Sequence, residues 1–353
     1  MTPIGQDVAA YEAWLGKQCA VVQADLDAKH HRMRKSGFDF LRATYFRWAR
    51  TIETVCPALS AAPRILCIGD LHVENYGTWR DADARLVWGI NDFDEAATMP
   101  YAFDLLRLAT SATLSPDMRL HPADLCATLL KGYRRGLQAP QAMLLDENAG
   151  GLRSYVNPTA RSNAGFWEDV DACPDAQPPA PVQKALKDSL PPGARVQRYA
   201  SRRKGGGSLG RPRFLVVATW NSGRVVREAK ALVPSAWVWA HGTKEPCRFL
   251  DVASGAYRSP DPLLSLEAGF ILRRSAPDSR KIEFADVQAG GLTEDLVAAM
   301  ATDLASVHAA GAGRSQIAAD LDGRPDGWLQ QAVEAAKAAT EQDHAAYVAL
   351  GGA

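Results

Sequence analysis

The sequence has no apolar run approaching the roughly 20 residues needed to cross a bilayer, and its opening residues lack a basic stretch followed by an apolar core. A membrane partner and a secretory leader are therefore not expected, and a cytoplasmic location is. Net charge is also missing. Forty basic residues balance forty acidic ones, which removes the global attraction that nucleic-acid binders use, so no nucleic-acid partner is expected. The six cysteines, Cys19, Cys56, Cys67, Cys126, Cys173 and Cys247, form no C-x-x-C pair and have no histidine at metal spacing. They read as reduced thiols and exclude both a disulfide framework and a cysteine-based metal site.

What is present is bulk and two acidic motifs. A chain of 353 residues, 47% hydrophobic, can bury a sizeable core and support two lobes. Arg64-Ile65-Leu66-Cys67-Ile68 leads into Gly69-Asp70-Leu71-His72-Val73-Glu74-Asn75, and Leu86-Val87-Trp88-Gly89-Ile90 leads into Asn91-Asp92-Phe93-Asp94. Short, β-branched apolar runs of this kind predict strands. Each would deliver its acids to the mouth of a buried sheet, where Asp70, Asn75 and Asp92 converge. A lone Gly-Asp is usually a turn, and acids at strand ends often only cap helices. The two motifs together point instead to a metal and phosphate site, because phosphoryl transfer needs one carboxylate to orient a hydroxyl and oxygen ligands for magnesium.

The register resembles the catalytic loop and metal-binding aspartate of the protein-kinase-like superfamily, especially the aminoglycoside phosphotransferase and choline kinase branch, with H-G-D-L-H-x-x-N followed by I-D-F-D-D-A. It is also similar to a large bacterial family, domain of unknown function 2252, which carries G-D-x-H-x-x-N and N-D-F-D-E-A followed by a W/F-D-L-x-R-L-A helix. Phe103-Asp104-Leu105-Leu106-Arg107-Leu108-Ala109 fits that last element. The resemblance implies ATP as donor and Mg2+ as metal. Asp70 would orient the acceptor hydroxyl and accept its proton, and Asn75 and Asp92 would bind the metal. Supporting roles fall to His72 and Asp94, and to Asp104 as an anchor of the catalytic loop. The plain alternative for Asp104 is an acid favoured by a helix N-terminus.

Further on, Lys204-Gly205-Gly206-Gly207-Ser208-Leu209-Gly210 contains G-x-G-x-x-G. A dinucleotide fold would require a strand before this motif and a helix after it. The glycines lead instead into an apolar run from Phe214 to Ala218, a turn at Asn221-Ser222-Gly223, and Arg224-Val225-Val226-Arg227-Glu228-Ala229-Lys230. Strand, turn and strand after glycines is the pattern of a kinase nucleotide-covering hairpin. Gly205, Gly206, Gly207, Ser208 and Gly210 would then cover the ATP phosphates. Counted on from Gly210, the phosphate-binding lysine of the family falls near Arg227, with Lys230 as the alternative. Arg202, Arg203, Lys204, Arg211 and Arg213 form a basic cluster that is either solvated loop or phosphate attraction.

In kinase-like enzymes the glycine-rich loop precedes the catalytic loop by roughly a hundred residues or more. Here it comes after Asp92, so a circular permutation is expected. A helix over 292–310, with Thr293 as N-cap and Leu296, Val297, Met300, Leu304 and Val307 on one stripe, ends in Leu304-Ala305-Ser306-Val307-His308-Ala309-Ala310-Gly311. That end resembles the L-A-x-L-H-x-x-G segment that directly precedes the phosphotransferase catalytic loop. A permuted chain would set it beside the N-terminal strands.

Other expected elements are helices over 8–26, 38–55, 102–114 and 122–137. A proline-rich connector over 139–195 holds one short helix near 182–190, and strands are expected over 264–274 and 281–284. The fold expected is α+β and protein-kinase-like in permuted order, with a mainly helical catalytic part in 1–200, a small antiparallel β nucleotide part in 201–290 and C-terminal helices in 291–353 packing back on the catalytic part. The function expected is ATP- and magnesium-dependent phosphotransfer to a hydroxyl of an unknown, small-molecule acceptor. Alternatives are a non-catalytic nucleotide binder and an AMP-transferring enzyme. A metallophosphoesterase would need further Asp, Asn and His ligands downstream, which the sequence lacks. The acceptor and the oligomeric state are not legible in the sequence.

Overall fold

The computed structural model describes residues 2–156, 160–279 and 291–351. The chain opens with helices α1 (Ile4–Gln18), α2 (Gln23–Met33), α3 (Gly37–Ala43) and α4 (Tyr45–Val55). Each of the first two expected helices is thus broken in the middle. At the second break Thr44 turns its hydroxyl back on Phe40 O at 2.7 Å, a local bond that competes with the helical ladder.

Next in the chain are strands β1 (Arg64–Cys67), β2 (Tyr76–Arg80), β3 (Leu86–Ile90) and β4 (Ala97–Pro100), then α5 (Ala102–Leu114) and α6 (Pro122–Gln138), close to their expected bounds. The connector contains β5 (Met143–Leu144), α7 (Arg153–Val156), α8 (Ala160–Asp171) and α9 (Ala180–Asp188). It holds more helix than its prolines suggest, because Pro174, Pro178 and Pro179 fall between α8 and α9. Pro181 sits in the first turn of α9, where a missing N–H costs nothing. Beyond lie β6 (Arg195–Ser201), β7 (Arg213–Trp220), β8 (Gly223–Ala231), α10 (Ala236–His241), α11 (Phe249–Ala253), β9 (Ser265–Glu267), β10 (Phe270–Ser275), α12 (Glu294–Ala309), α13 (Arg314–Gly323) and α14 (Trp328–Ala349). The strand expected over 281–284 lies outside the described residues. Among the described residues no helix is long and apolar enough to cross a membrane.

The fold is mixed α+β with small antiparallel sheets. β1 pairs with β4, while β3 lies between β2 and β5, so the two motif strands belong to different sheets. They still converge, because β2 begins directly after Asn75 and pairs Tyr76 with Ile90. The Asn91 amide then donates to Asn75 O at 3.0 Å, which joins the ends of the two acidic motifs.

The third sheet has the order β6-β7-β8-β10-β9, antiparallel throughout. Side chains alternate between its faces. Val182 and Leu186 of α9 pack with Val216 and Ala229 on one face. On the other, Val170 of α8 packs with Leu215, Val217 and Val226. That second face continues past α8 as a charged surface.

The main core gathers the N-terminal helices, α5, α6, α12 and α14. Helix α6 lies so close on α12 that a Cβ on Gly132 or Gly136 would collide with Ala298 O or Thr302 O. Thr293 caps α12, accepting from the Leu296 amide at 3.3 Å. Just beyond the helix, Gly313 abuts Ile65 of β1.

Candidate functional site

The loop carrying Asp70 is held by one face of α5. Asp104, Arg107 and Ser111 follow the i, i+3, i+7 spacing that lines up side chains along a helix, and all three are fully buried. Asp104 accepts from the Ile68 amide at 2.6 Å and the Gly69 amide at 3.0 Å. Arg107 donates to Asp70 Oδ1 at 2.5 and 3.1 Å, and Ser111 Oγ accepts from Val73 N at 3.1 Å. Behind Asp104, His308 Nε2 lies at 3.0 Å, and its Nδ1 bonds the Tyr133 hydroxyl at 2.6 Å. A buried carboxylate stripped of such donors would be costly. Here the donors are the backbone of the loop itself. His72 Nδ1 accepts the Glu74 amide at 3.2 Å and Asn75 Nδ2 donates to Asp70 O at 2.5 Å, so both brace the turn.

The second motif has a parallel anchor. Buried Asp303 of α12 accepts from Ile90 N at 2.7 Å and pairs with Arg258 at 2.9 Å, while Arg258 also donates to Ile90 O. Burial pushes the Asp303 carboxyl above its ordinary range, against the opposing pull of Arg258. Gly89 is required beneath it, since a Cβ would lie 2.7 Å from the carboxylate oxygens. This anchor was not foreseen, because nothing local to Asp303 signals it.

The charged half of the five-stranded sheet faces these acids. Lys230 Nζ pairs with Asp92 at 3.1 Å and with Asp94, and Arg211 reaches Asp94 at 3.4 Å and Glu95 at 2.5 Å. Burial raises the Asp94 carboxyl, with Lys230 opposing and Asp92 adding to the rise. Next to them Glu228 is fully buried among Arg202 at 3.1 Å, Arg213 at 3.1 Å and Arg273 at 2.5 Å. Burial alone would raise its carboxyl, but the three guanidinium groups hold it well below the usual range. Of the expected basic cluster, Arg202, Lys204, Arg211 and Arg213 line the cleft, while Arg203 is exposed and pairs with Asp25.

Arg227, the first choice for the phosphate anchor, points to the other side. Alternation puts Val226, Glu228 and Lys230 on the cleft face and Arg227 on the face of α9, where its Nε donates to Ser189 O at 3.1 Å. Counting from Gly210 misleads because β7 starts only at Arg213. The structure brings Lys230, and not Arg227, to the acids.

The glycine-rich loop joins β6 to β7, so a strand lies on each side of it. Its backbone roofs Asp70: a Cβ on Gly207 would lie 2.8 Å from Asp70 Oδ2 and 3.0 Å from Arg42 O. Helix α2 holds the loop from outside. Lys29 Nζ donates to Gly207 O at 3.1 Å, Arg32 donates to Gly205 O at 3.1 Å, and Arg203 pairs with Asp25 at 2.6 Å. Gly205, Gly206, Gly207 and Ser208 line the cleft. Gly210 does not; its φ of +95° makes the turn and it packs on Leu26.

The cleft has two chambers that share Asp92, Asp94, Lys204, Lys230 and Arg273. One, of about 130 Å³, is walled by Trp79, Phe93, Phe166, Phe249, Leu264 and Ile271. The other, of about 210 Å³, contains Asp70, Asn75 and the glycine-rich loop. Asn91 Oδ1 is buried beside Asp92 with no hydrogen-bond partner among the described residues. Carboxylate and amide oxygens of this kind are the donor type that a hard cation such as Mg2+ takes, and Asp92 among them is paired with Lys230. Among the described residues the one cluster of three His, Cys or Asp/Glu ligand atoms is Cys67, Asp104 and His308. Asp104 there is already engaged with the loop.

Residues 21–155 match the model of a family described as an uncharacterized protein conserved in bacteria, DUF2252. The match supports the family reading of the motifs; it spans both acidic motifs and α5 and ends before the glycine-rich loop. No curated protein and no solved structure matches the chain.

Proposed function

We propose that this protein is an ATP- and magnesium-dependent phosphotransferase acting on a hydroxyl acceptor, with a kinase-like site assembled in circularly permuted order. The observation that carries the reading is the meeting, in one cleft, of Asp70, Asn75 and Asp92 with a glycine-rich loop and a strand lysine lying more than a hundred residues downstream. The β6-loop-β7-β8 arrangement with Lys230 on the inner face supports it. So does the position of the α12 end beside β1, where a non-permuted chain would run from helix to strand directly. An arginine at the phosphate anchor would weaken the reading, and the presence of Lys230 on the cleft face beside Asp92 and Asp94 supports it.

In this reading the base takes the aromatic chamber, and Lys230, Lys204 and Arg273 face the phosphates. The backbone of Gly205 to Ser208 would hold the γ-phosphate. Asp92 and Asn75 would hold Mg2+, which neutralises phosphate charge when bound. Asp70, fixed by Arg107 through Oδ1, presents Oδ2 to the acceptor hydroxyl. The chain's contribution is mostly positioning and charge compensation.

The test is incubation with ATP labelled at the α or γ phosphate and a broad panel of hydroxyl compounds. Transfer of γ label that disappears in Asp70→Ala is the expected result. Transfer of α label would replace the reading with AMP transfer. Hydrolysis of phosphate esters without nucleotide would replace it with a hydrolase.

A further inference from the structure

The chamber that contains Asp70 is walled on its far side by cations from the N-terminal helices. Lys29 is buried with 3% exposure, and its Nζ makes one hydrogen bond, to Gly207 O, beneath the Tyr11 and Phe46 rings at 5.6 and 5.7 Å. An ammonium has three donors, and no carboxylate among the described residues pairs with this one. Burial accordingly depresses Lys29 to about 8. Arg42 is buried beside it, paired with Glu74, and its Nε has no partner among the described residues. Arg32, beside them, pairs with Asp39 at 2.9 Å and spends a second donor on Gly205 O.

A buried cation bonded mainly to neutral oxygen is expensive to maintain, and an anion would satisfy it with much stronger bonds. We infer that the acceptor is a small hydroxylated anion, a phosphate monoester or carboxylate, whose charged group is received by Lys29 and Arg42 while its hydroxyl reaches Asp70. This rests on the phosphotransfer reading. The acceptor oxygen forms the new bond to the γ-phosphorus as the bond to the β,γ-bridging oxygen breaks. The hydroxyl proton passes to Asp70 Oδ2, and ADP leaves with the electron pair. An ammonium-bearing acceptor such as an amino alcohol is repelled by the same wall.

The test begins with calorimetric titration of inorganic phosphate into the full chain. Wild type and Arg227→Met, whose side chain lies on the other face of the sheet against Ser189 O, should share a saturable component that weakens on the order of tenfold in Lys29→Gln and is recovered in Lys29→Arg. Arg42→Gln provides the same comparison if Lys29→Gln does not fold. Absence of that component in wild type, or its persistence at unchanged strength in Lys29→Gln, overturns the inference. A second arm measures ATP turnover with neutral sugars, amino alcohols, hydroxy acids and phosphorylated polyols. Turnover confined to neutral or cationic acceptors also overturns it. Phosphate binding that depends on Lys29, with no turnover on any class, would refute the phosphotransfer reading and leave the anion site standing.

Discussion

Replacing Asp104 by alanine removes the acceptor for two backbone amides and one imidazole in a fully buried place, with bonds of 2.6, 3.0 and 3.0 Å. A buried donor left without a partner costs about 1–3 kcal/mol. Because the costs of neighbouring groups add incompletely, the three together imply roughly 3–6 kcal/mol, a large share of the roughly 5–15 kcal/mol of a folded domain. At roughly 2 °C per kcal/mol for a chain of this size, the melting temperature should fall by about 6–12 °C. Thermal unfolding followed by circular dichroism measures this, and amide exchange at Ile68 and Gly69 localises it. Asp104→Asn, which keeps the volume and one acceptor oxygen, should lose less. An Asp104→Ala protein that melts within about 1 °C of wild type, with Ile68 still protected, would refute the idea that α5 holds the Asp70 loop.

The remaining expectations concern charge and loop geometry. Glu228 has a folded pKa held well below the ordinary carboxylate value, so its stabilising contribution is complete above about pH 4.3, the unfolded value, and is lost as pH falls through the folded one. Glu228→Gln should therefore be less stable than wild type in urea at neutral pH, and the gap should narrow below about pH 4; a gap that widens on acidification contradicts the ion cluster. Lys230→Met should abolish ATP binding while Arg227→Met leaves it within about threefold, since only Lys230 faces the acids; equal losses in filter-binding or calorimetric assays would mean the strand register is wrong. Gly207→Ala places a methyl 2.8 Å from Asp70 Oδ2 at a residue without left-handed backbone. It should depress turnover by on the order of tenfold or more with little change in melting temperature.

Much of the helical and strand framework around the acidic motifs was legible, because α5, α6, α12, β1 and β3 carry strong periodicity and clear ends. The convergence of Asp70 with Asp92 was also legible, but its cause was not. β2 begins with Tyr76-Gly77-Thr78, which has no strong apolar alternation, and only its pairing with β3 makes it a strand. A count through the loop favours Arg227 but cannot fix strand parity; the pairing of β7 with β8 sets it and puts Lys230 on the cleft face. Lys29, Arg32 and Arg42 carry no local signal at all. On a helix wheel they are solvated charges, and they line the cleft only once α2 and α3 pack against a loop some 170 residues away in sequence. Asp303 and Glu228 were hidden for the same reason, being acids whose partners come from distant strands.

The most direct test of the central claim is calorimetric binding of ATP, with and without magnesium, to wild type, Asp92→Ala and Asp70→Ala. Wild type should bind ATP with magnesium, Asp92→Ala should lose the metal-dependent part of that binding, and Asp70→Ala should retain binding while γ-phosphoryl transfer disappears. Wild type that does not bind ATP with magnesium, or Asp92→Ala that binds it unchanged, would contradict the account.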